Sequence, residues 1–342
     1  MVHAMALTLK QLGALAGVHP STVARVLNGD PQQRISPEVR QRILTLAREH
    51  QYQPNRVARS LRTKRSAVIG ALIPDITNPF FATLFRGIED ELAQRDFIAI
   101  LANTDDQPAR ESHSLAMLRG RQVDGFILAT ARRRDPAVEE LTMADVPFVL
   151  VNRHTDPITA NAVVPDDLSG ARIAIEHLHR LGHRRIAHIA GAEDVSTGHT
   201  RRMGYIAALE RHQVPFDPTL LVQGSYRESG GYEAMQQLLQ LARPPTAVFA
   251  VNDLAAMGAI RAIREAGLTV PGDISIIGFN DLSLATQMTP QLTTLHVPLH
   301  EMGILAAGRL LAQISNEQAP TEPAILPVTL VVRGSAGPVA RA

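Results

Sequence analysis

The chain has 342 residues, of which 45% are hydrophobic, 20% charged and none cysteine. It is too long for one small domain and too apolar for global disorder, so two or three packed domains are expected. The lack of cysteine excludes disulfides, thiolate metal sites and a cysteine nucleophile, and fits a reducing compartment.

The net charge of +1 hides an asymmetry. Residues 1–65 hold 11 Lys+Arg and 3 Asp+Glu, which leaves 23 of the 34 basic and 30 of the 33 acidic residues to the rest. A basic head on a mildly acidic body points to a polyanion partner for the head. No stretch approaches the ~20 apolar residues that span a bilayer. The opening MVHAMALTLK lacks the apolar core and cleavage site of a secretion signal. A cytoplasmic protein is therefore expected, with Met5 an alternative start.

Residues 9–29, LKQLGALAGVHPSTVARVLNG, have the spacing of a DNA-reading helix-turn-helix. Thr8 is the expected N-cap of a first helix over 9–16, with Leu12 and Ala16 on one face. Gly17 suits the left-handed residue that ends it. Val18 is expected to plug the space between the helices. Pro20 opens a second helix running to about Asn28, with Val23 and Val26 inward and Gly29 and Asp30 ending it. Gly13 falls where two helices should cross and a small side chain is needed. A third helix is predicted from Ser36 as N-cap, with Val39, Ile43, Leu46 and Ala47 as its inward stripe.

A plain helical bundle with a solvated basic face is the competing reading. The agreement of turn glycine, small crossing residue and apolar positions favours DNA reading. In that reading the second helix enters the major groove and presents His19, Pro20, Ser21, Thr22 and Arg25. Arg25 suits a bidentate pair with guanine, worth about 1–3 kcal/mol of discrimination. Ser21 suits a base edge, and Thr22 and Asn28 suit phosphate.

The head ends in QPNRVARSLRTKR, residues 53–65. The order helix-turn-helix, third helix, YQPNRVARSL and then an apolar strand at 67–73 resembles the lactose-repressor/galactose-repressor (LacI/GalR) family, and the resemblance runs from about Thr8 to Arg333. It implies a hinge helix over 55–61 that folds when two subunits meet on an operator. Asn55, Arg56, Ala58 and Arg59 then belong to the DNA contact, and Leu61 is the wedge at the minor groove. Arg59, Arg62, Lys64 and Arg65 add phosphate contacts and salt dependence. Without the resemblance, a short basic helix of this kind is unfolded when free, because isolated helices of this length are marginal.

From Val68 onward, short apolar runs alternate with helical spacing. The runs at 68–74, 97–102, 125–130 and 148–152 are continuous, as strands covered on both faces should be. Helices are expected between them at 79–93 and 109–120. A second set has strands at 185–191, 247–253 and 274–281, and helices near 168–181, 201–212, 230–241 and 254–266. Repeated strand–helix units imply parallel sheets, and two sets imply two Rossmann-like lobes with a cleft at the strand ends. The resemblance implies a periplasmic-binding-protein-like body whose chain crosses between lobes near 163, 294 and 325.

No dinucleotide fingerprint, P-loop or nucleophile elbow occurs. His177, His179 and His183 lack the spacing of one metal-binding face, so neither metal nor cofactor is expected. Candidate ligand groups sit at strand ends: Asp75, Asn78, Phe80 and Phe81 after the first, Thr130 after the third, Asn152 and Arg153 after the fourth. One of the two phenylalanines should pack in the core and the other face the ligand, with the resemblance favouring Phe80. Thr197 and Arg201 precede the MGYIAAL helix, and Asn252 and Asn280 end later strands. The resemblance makes Arg201 the arginine that fixes effector hydroxyls or carboxylates. Asn280 stands where the family often has an aspartate, which would leave Arg201 available to an anionic group. Asp253 and Asp281 look like caps. His19 replaces the family's usual hydroxyl residue and would remove a good N-cap.

The fold expected is a small all-α helix-turn-helix domain plus an α/β two-lobed body of two Rossmann-like parallel-sheet subdomains. Boundaries are placed at 1–53 for DNA binding, 54–65 for the hinge, 66–163 with 295–325 for the first lobe, 164–294 with 326–333 for the second, and 334–342 for a tail. The function implied is a sequence-specific transcriptional regulator, most simply a repressor and not an enzyme. Its partners are a pseudo-palindromic operator, a second copy in a homodimer, and a small polar effector such as a sugar or sugar derivative. No leucine heptad follows Arg333 to drive tetramers. A solute-binding protein would need an export signal and has no use for the head, and a Rossmann-like enzyme would need a fingerprint that is absent.

Overall fold

The computed structural model describes residues 7–27, 35–50, 52, 65–159, 161–317 and 322–339. It divides into two units, Met1–Ser66 and Ala67–Ala342.

The first unit contains α1 (Leu9–Ala16), α2 (Pro20–Leu27) and α3 (Pro37–Glu49). A capping box starts α1: Thr8 Oγ1 accepts from the Gln11 amide while Gln11 Oε1 accepts from the Thr8 amide. Gly17 ends α1 at φ 63°, a conformation that disfavours any side chain. Leu12, Ala16, Val23, Val26, Ile43 and Ala47 form the buried core, and Val18, Val39 and Leu46 pack at its edge. Gly13 makes the close approach expected of it, against the turn and the first residue of α2, whose Pro20 nitrogen would lie 3.3 Å from an added Cβ. A Cβ there would lie 2.9 Å from the Val18 carbonyl oxygen, so the glycine admits the backbone of the turn, which folds back onto α1. Arg42 on α3 donates from Nε to the Ala16 carbonyl at 3.0 Å, tying the end of α1 to the third helix. The expected second-helix residue Asn28, the turn after it and the hinge segment lie outside the described residues.

The second unit holds two six-stranded sheets among the described residues. The first contains β1 (Val68–Ile73), β2 (Ile98–Asn103), β3 (Gly125–Leu128), β4 (Phe148–Val151), β5 (Ala162–Pro165) and β11 (Ala324–Leu326), in the order β11-β5-β4-β3-β1-β2. Its pairs are all parallel. The helices α4 (Pro79–Ala93), α5 (Pro108–Gly120), α6 (Pro136–Met143) and α11 (Leu299–Ile314) accompany it. The second sheet contains β6 (Ile186–Ala190), β7 (Leu221–Gln223), β8 (Ala247–Ala250), β9 (Ser275–Asn280), β10 (Thr293–His296) and β12 (Thr329–Val331), in the order β12-β10-β9-β8-β6-β7. Only β12 runs antiparallel to its neighbour. Its helices are α7 (Asp167–Arg180), α8 (Ser196–Arg211), α9 (Glu228–Leu239) and α10 (Asp253–Glu265).

Strands β3, β4, β6, β8 and β9 are buried along their whole length, which is why β3, β4 and β8 read as unbroken apolar runs. Strand β2 departs from that expectation. It is an edge strand, and Ile98 and Ile100 are 51% and 39% exposed.

The chain crosses between lobes three times, each crossing two or three residues later than expected. Strand β5 belongs to the first sheet as far as Pro165, and α7 starts the second lobe. Strand β10 stays in the second sheet through His296, fixed by pairing of Thr294 with Val331, so that crossing follows residue 296 rather than 294. The last crossing joins β11 to β12 at residues 327–328.

The tail is also corrected, because its described part belongs to the second lobe. The Ile276 amide donates to the Ser335 carbonyl at 2.8 Å, and the Val339 amide to the Leu181 carbonyl at 3.0 Å. His183 bridges Thr246 and the Gly337 carbonyl at 2.9 and 3.0 Å, a structural task. His179 instead stacks on His212 at 4.3 Å.

Candidate functional site

Two surfaces carry the candidate residues. On the helix-turn-helix, His19 and Ser21 are exposed, and Pro20, Thr22 and Arg25 are partly so. The expectation that His19 removes the N-cap is wrong. The Thr22 amide donates to the His19 carbonyl, and the imidazole takes over the capping role: its Nδ1 lies 3.2 Å from the Ser21 amide. A ring nitrogen carrying a lone pair can accept as a hydroxyl oxygen does. Asn28, Asn55, Arg56, Ala58, Arg59 and Leu61 lie outside the described residues.

In the body, a cavity of about 760 Å³ lies at the carboxyl ends of the strands of both sheets. In each sheet the strand order reverses beside the first strand, β1 or β6. Loops on either side of such a strand part and leave a crevice. Asp75, Asn78, Phe80, Phe81 and Arg153 reach the cavity from the first lobe, and Thr197, Arg201, Asn252 and Asn280 from the second.

Asn78 caps α4, accepting from the Phe80 amide at 3.0 Å, and so aims the helix start at the cavity. Phe80 and Phe81 meet edge to face at 4.9 Å. The expected division of labour between them does not hold, since both are buried and both line the wall. Thr130 is not part of the lining. Its hydroxyl donates to Glu111 and its carbonyl accepts from Arg153 at 3.4 Å, so it supports the arginine from behind. Burial drives Glu111 up to about 7; the Thr130 hydrogen bond opposes this and Asp135 adds to it.

Thr197 and Arg201 lie within α8 rather than before it, because the helix begins at Ser196. Its first turn is polar because it faces the cavity, and Gly198 lets it sit against the loop after β6, where a Cβ would come 2.3 Å from the Ala192 carbonyl.

Arg201 is fully committed electrostatically. Its Nε donates to Asp167 at 2.8 Å, its Nη1 to the Val251 carbonyl at 2.6 Å, and its guanidinium lies 3.7 Å over the Phe279 ring. Burial raises the Asp167 carboxyl above its ordinary value while Arg201 pulls it down. The guanidinium stays protonated, and the Asp167 carboxyl lies against it as its buried acidic partner. The expectation that Asn280 frees Arg201 for an anion therefore fails: Asp167, on a different helix, supplies the counter-charge.

Sequence reasoning missed Asp105, Asp106, Tyr226 and Arg227 among the lining residues. Asp106 accepts from Arg153 Nη1 at 2.7 Å. Tyr226 donates to or accepts from Thr197 at 2.9 Å and lies under the Arg153 guanidinium at 5.6 Å. Arg227 spans the cleft to Asp75 at 3.0 Å. Burial alone would raise Asp75, but hydrogen bonds from Thr77 and the Arg227 charge hold it below its usual value. Asp105 and Asp106 follow β2, and the strand-end rule applied there would have found them. Asp253 and Asp281 are structural: Asp253 accepts from the Leu282 amide and Thr294, and Asp281 pairs with Arg333 at 2.6 Å. Asn152 and Asn280 each keep a buried side-chain oxygen with no hydrogen-bond partner.

Residues 8–55 match the model of bacterial regulatory proteins, lacI family, and residues 175–336 match a periplasmic binding protein-like domain. Catabolite control protein A of Priestia megaterium is 35% identical over 315 residues, covering 92% of this chain and 94% of that protein. A lac repressor dimer bound to operator and the anti-inducer ONPF superposes with a TM-score of 0.87 at 28% identity, covering 97% of this chain and 99% of that one. A LacI family regulator from Enterococcus faecium with bound ribose gives 0.72 at 38% identity, covering 80% and 100%.

Proposed function

The chain belongs to the lacI family of bacterial regulatory proteins, and from that premise we propose that it is a repressor whose hold on operator DNA is set by a neutral, hydroxyl-rich ligand in the cleft. The observation that carries this reading is one chain holding both a helix-turn-helix and a polar cavity framed by two lobes. The protein works as a cytoplasmic homodimer on a two-fold related operator, as the lac repressor dimer does on its own. It performs no chemistry on the ligand. Among the described residues no helix is long and apolar enough to cross a membrane.

Neutrality of the ligand follows from the pairing of charges. Each charged side chain lining the cavity has a counter-ion: Arg201 with Asp167, Arg153 with Asp106, Arg227 with Asp75, Asp105 with Arg110, and Glu228 with Arg261. A sugar acid or phosphate would bring a charge with no counter-ion left to meet it into a partly desolvated site, at a cost. A neutral sugar uses the N–H donors that paired guanidiniums still offer, and its apolar ring face suits Phe80 and Phe81. Ligand and operator are coupled only if the ligand prefers one lobe geometry over the other.

The test is operator binding by the full-length protein at two salt concentrations, using the DNA upstream of its own gene. Ribose, cellobiose, galacturonate and glucose 6-phosphate are each added. The expected result is a specific, salt-sensitive complex whose affinity responds to a neutral sugar and to neither anion. A response to an anion alone overturns the ligand class, and absence of any specific complex overturns the repressor.

A further inference from the structure

The start of α2 fixes the direction of two hydrogen bonds before any DNA arrives. His19 Nδ1 lies 3.2 Å from the Ser21 backbone nitrogen and 2.8 Å from Ser21 Oγ. A backbone N–H can only donate, so Nδ1 is the acceptor and carries no proton. A neutral imidazole with a bare Nδ1 holds its proton on Nε2. The Ser21 hydroxyl meets the same lone pair and therefore gives its own proton to the ring. What remains on Ser21 Oγ is acceptor capacity alone. Both side chains are exposed, and His19 Nε2 has no hydrogen-bond partner among the described residues.

These groups stand at the end of the helix that a protein of this kind inserts into the major groove. Serine is ordinarily an ambivalent reader, because its hydroxyl can rotate to donate or accept. Here the rotation is already used. We infer that His19 and Ser21 form a specificity pair of fixed polarity, in which His19 Nε2–H donates to a purine N7 and Ser21 accepts from an exocyclic amino group, adenine N6 or cytosine N4. The inference rests on the DNA-binding reading above. It assigns His19 two tasks: reading a base itself, and restricting what Ser21 can read. An edge that offers only acceptors, guanine N7 and O6 or thymine O4, would leave the Ser21 oxygen facing another lone pair.

The experiment is selection by the full-length protein from a duplex library randomised across both half-sites, run for the unaltered chain, for Ser21→Ala and for His19→Gly. Glycine is chosen because it is itself a tolerated N-cap, so the helix start survives loss of the ring. The unaltered chain should prefer A or C over G or T at one position of the strand read, by about 5- to 150-fold, the range of a good base contact. Ser21→Ala should flatten that position alone. His19→Gly should admit G or T there, because the freed hydroxyl can then donate. If His19→Gly keeps the A or C preference, or the Ser21-dependent position prefers G or T in the unaltered chain, the inference is overturned. If no sequence is enriched by any of the three proteins, the DNA-binding reading falls with it. A measurement independent of variants is the nitrogen-15 signature of the His19 ring in the free protein at neutral pH. It should report the Nε2–H tautomer, and the Nδ1–H tautomer would overturn the assignment.

Discussion

His188 occupies the middle of β6 with no solvent exposure. Its ring stacks on Phe249 at 4.8 Å, its Nδ1–H donates to the Phe249 carbonyl at 2.9 Å, and Nε2 has no partner. Burial pushes its pKa down to about 4 from the usual 6.5, since a second proton would be an unpaired charge in the core. The unfolded chain takes that proton below about pH 6.5 and the folded chain does not. The contribution is therefore intact above pH 6.5 and is lost as pH falls toward 4, by on the order of 3 kcal/mol. Glu111 and Asp253 have the opposite sign: burial raises both to about 7, so they weaken the fold as pH rises from about 4 to 7. The expected outcome is that His188→Phe loses less stability than the unaltered chain between pH 7 and pH 4.5, read from urea midpoints. Equal losses would show that the ring is not kept neutral. Single residues of this kind are only half legible in a sequence. Arg201 is singled out through the family resemblance, but its partner Asp167 lies 34 positions away on α7. Pairing across helices leaves no spacing to read.

Helices α4 and α11 show how close packing hides from pattern reading. A Cβ on Gly87 would lie 2.1 Å from the His300 carbonyl oxygen, and one on Gly303 would lie 2.2 Å from the Leu84 carbonyl oxygen. The two backbones are in direct contact, so no rotamer change can relieve an added methyl. Gly87→Ala should destabilise the body by about 1–3 kcal/mol or more, against the slight gain alanine gives an exposed helix. Urea denaturation checks this, and a neutral or stabilising result would mean the helices can move apart. Strands β1, β3, β4, β8 and β9 were legible because they are sandwiched and largely apolar. Strands β7, β11 and β12 were not: each has only three residues, all of them at least partly exposed, too short a stretch to stand out as a strand. Helix α11 was missed for the reverse reason. It is rich in alanine and leucine and packs against α4 and the first sheet, and its polar face is thinned by the exposed Leu305 between Glu301 and Arg309, so its period stands out weakly.

Across the whole body, the lobes are tied by few bonds and by three chain crossings. Arg227–Asp75 and Arg132–Asp194 span the cleft, and the Arg133 amide donates to the Asp194 carbonyl at 2.9 Å. Arg227 is 63% exposed, and a solvated pair of this kind is worth about 0–1 kcal/mol. Arg227→Ala should therefore weaken sugar binding by no more than about five-fold in calorimetry. A loss of two orders of magnitude would make the pair a principal part of ligand capture. The crossings have an effect on biogenesis as well. The first sheet needs β11, and its α4 needs α11, yet both are encoded after the whole set of strands β6 to β10. A ribosome carrying the chain as far as residue 290 has made five of the six strands of the amino-terminal lobe and cannot close it. Until α11 emerges, the face of α4 that bears Gly87 is bare of its partner. The second sheet waits as well, because β12 and the residues at 335–339 that bond to it are made last, so neither lobe is complete until the final crossing has left the ribosome, a window in which a chaperone would find both still open.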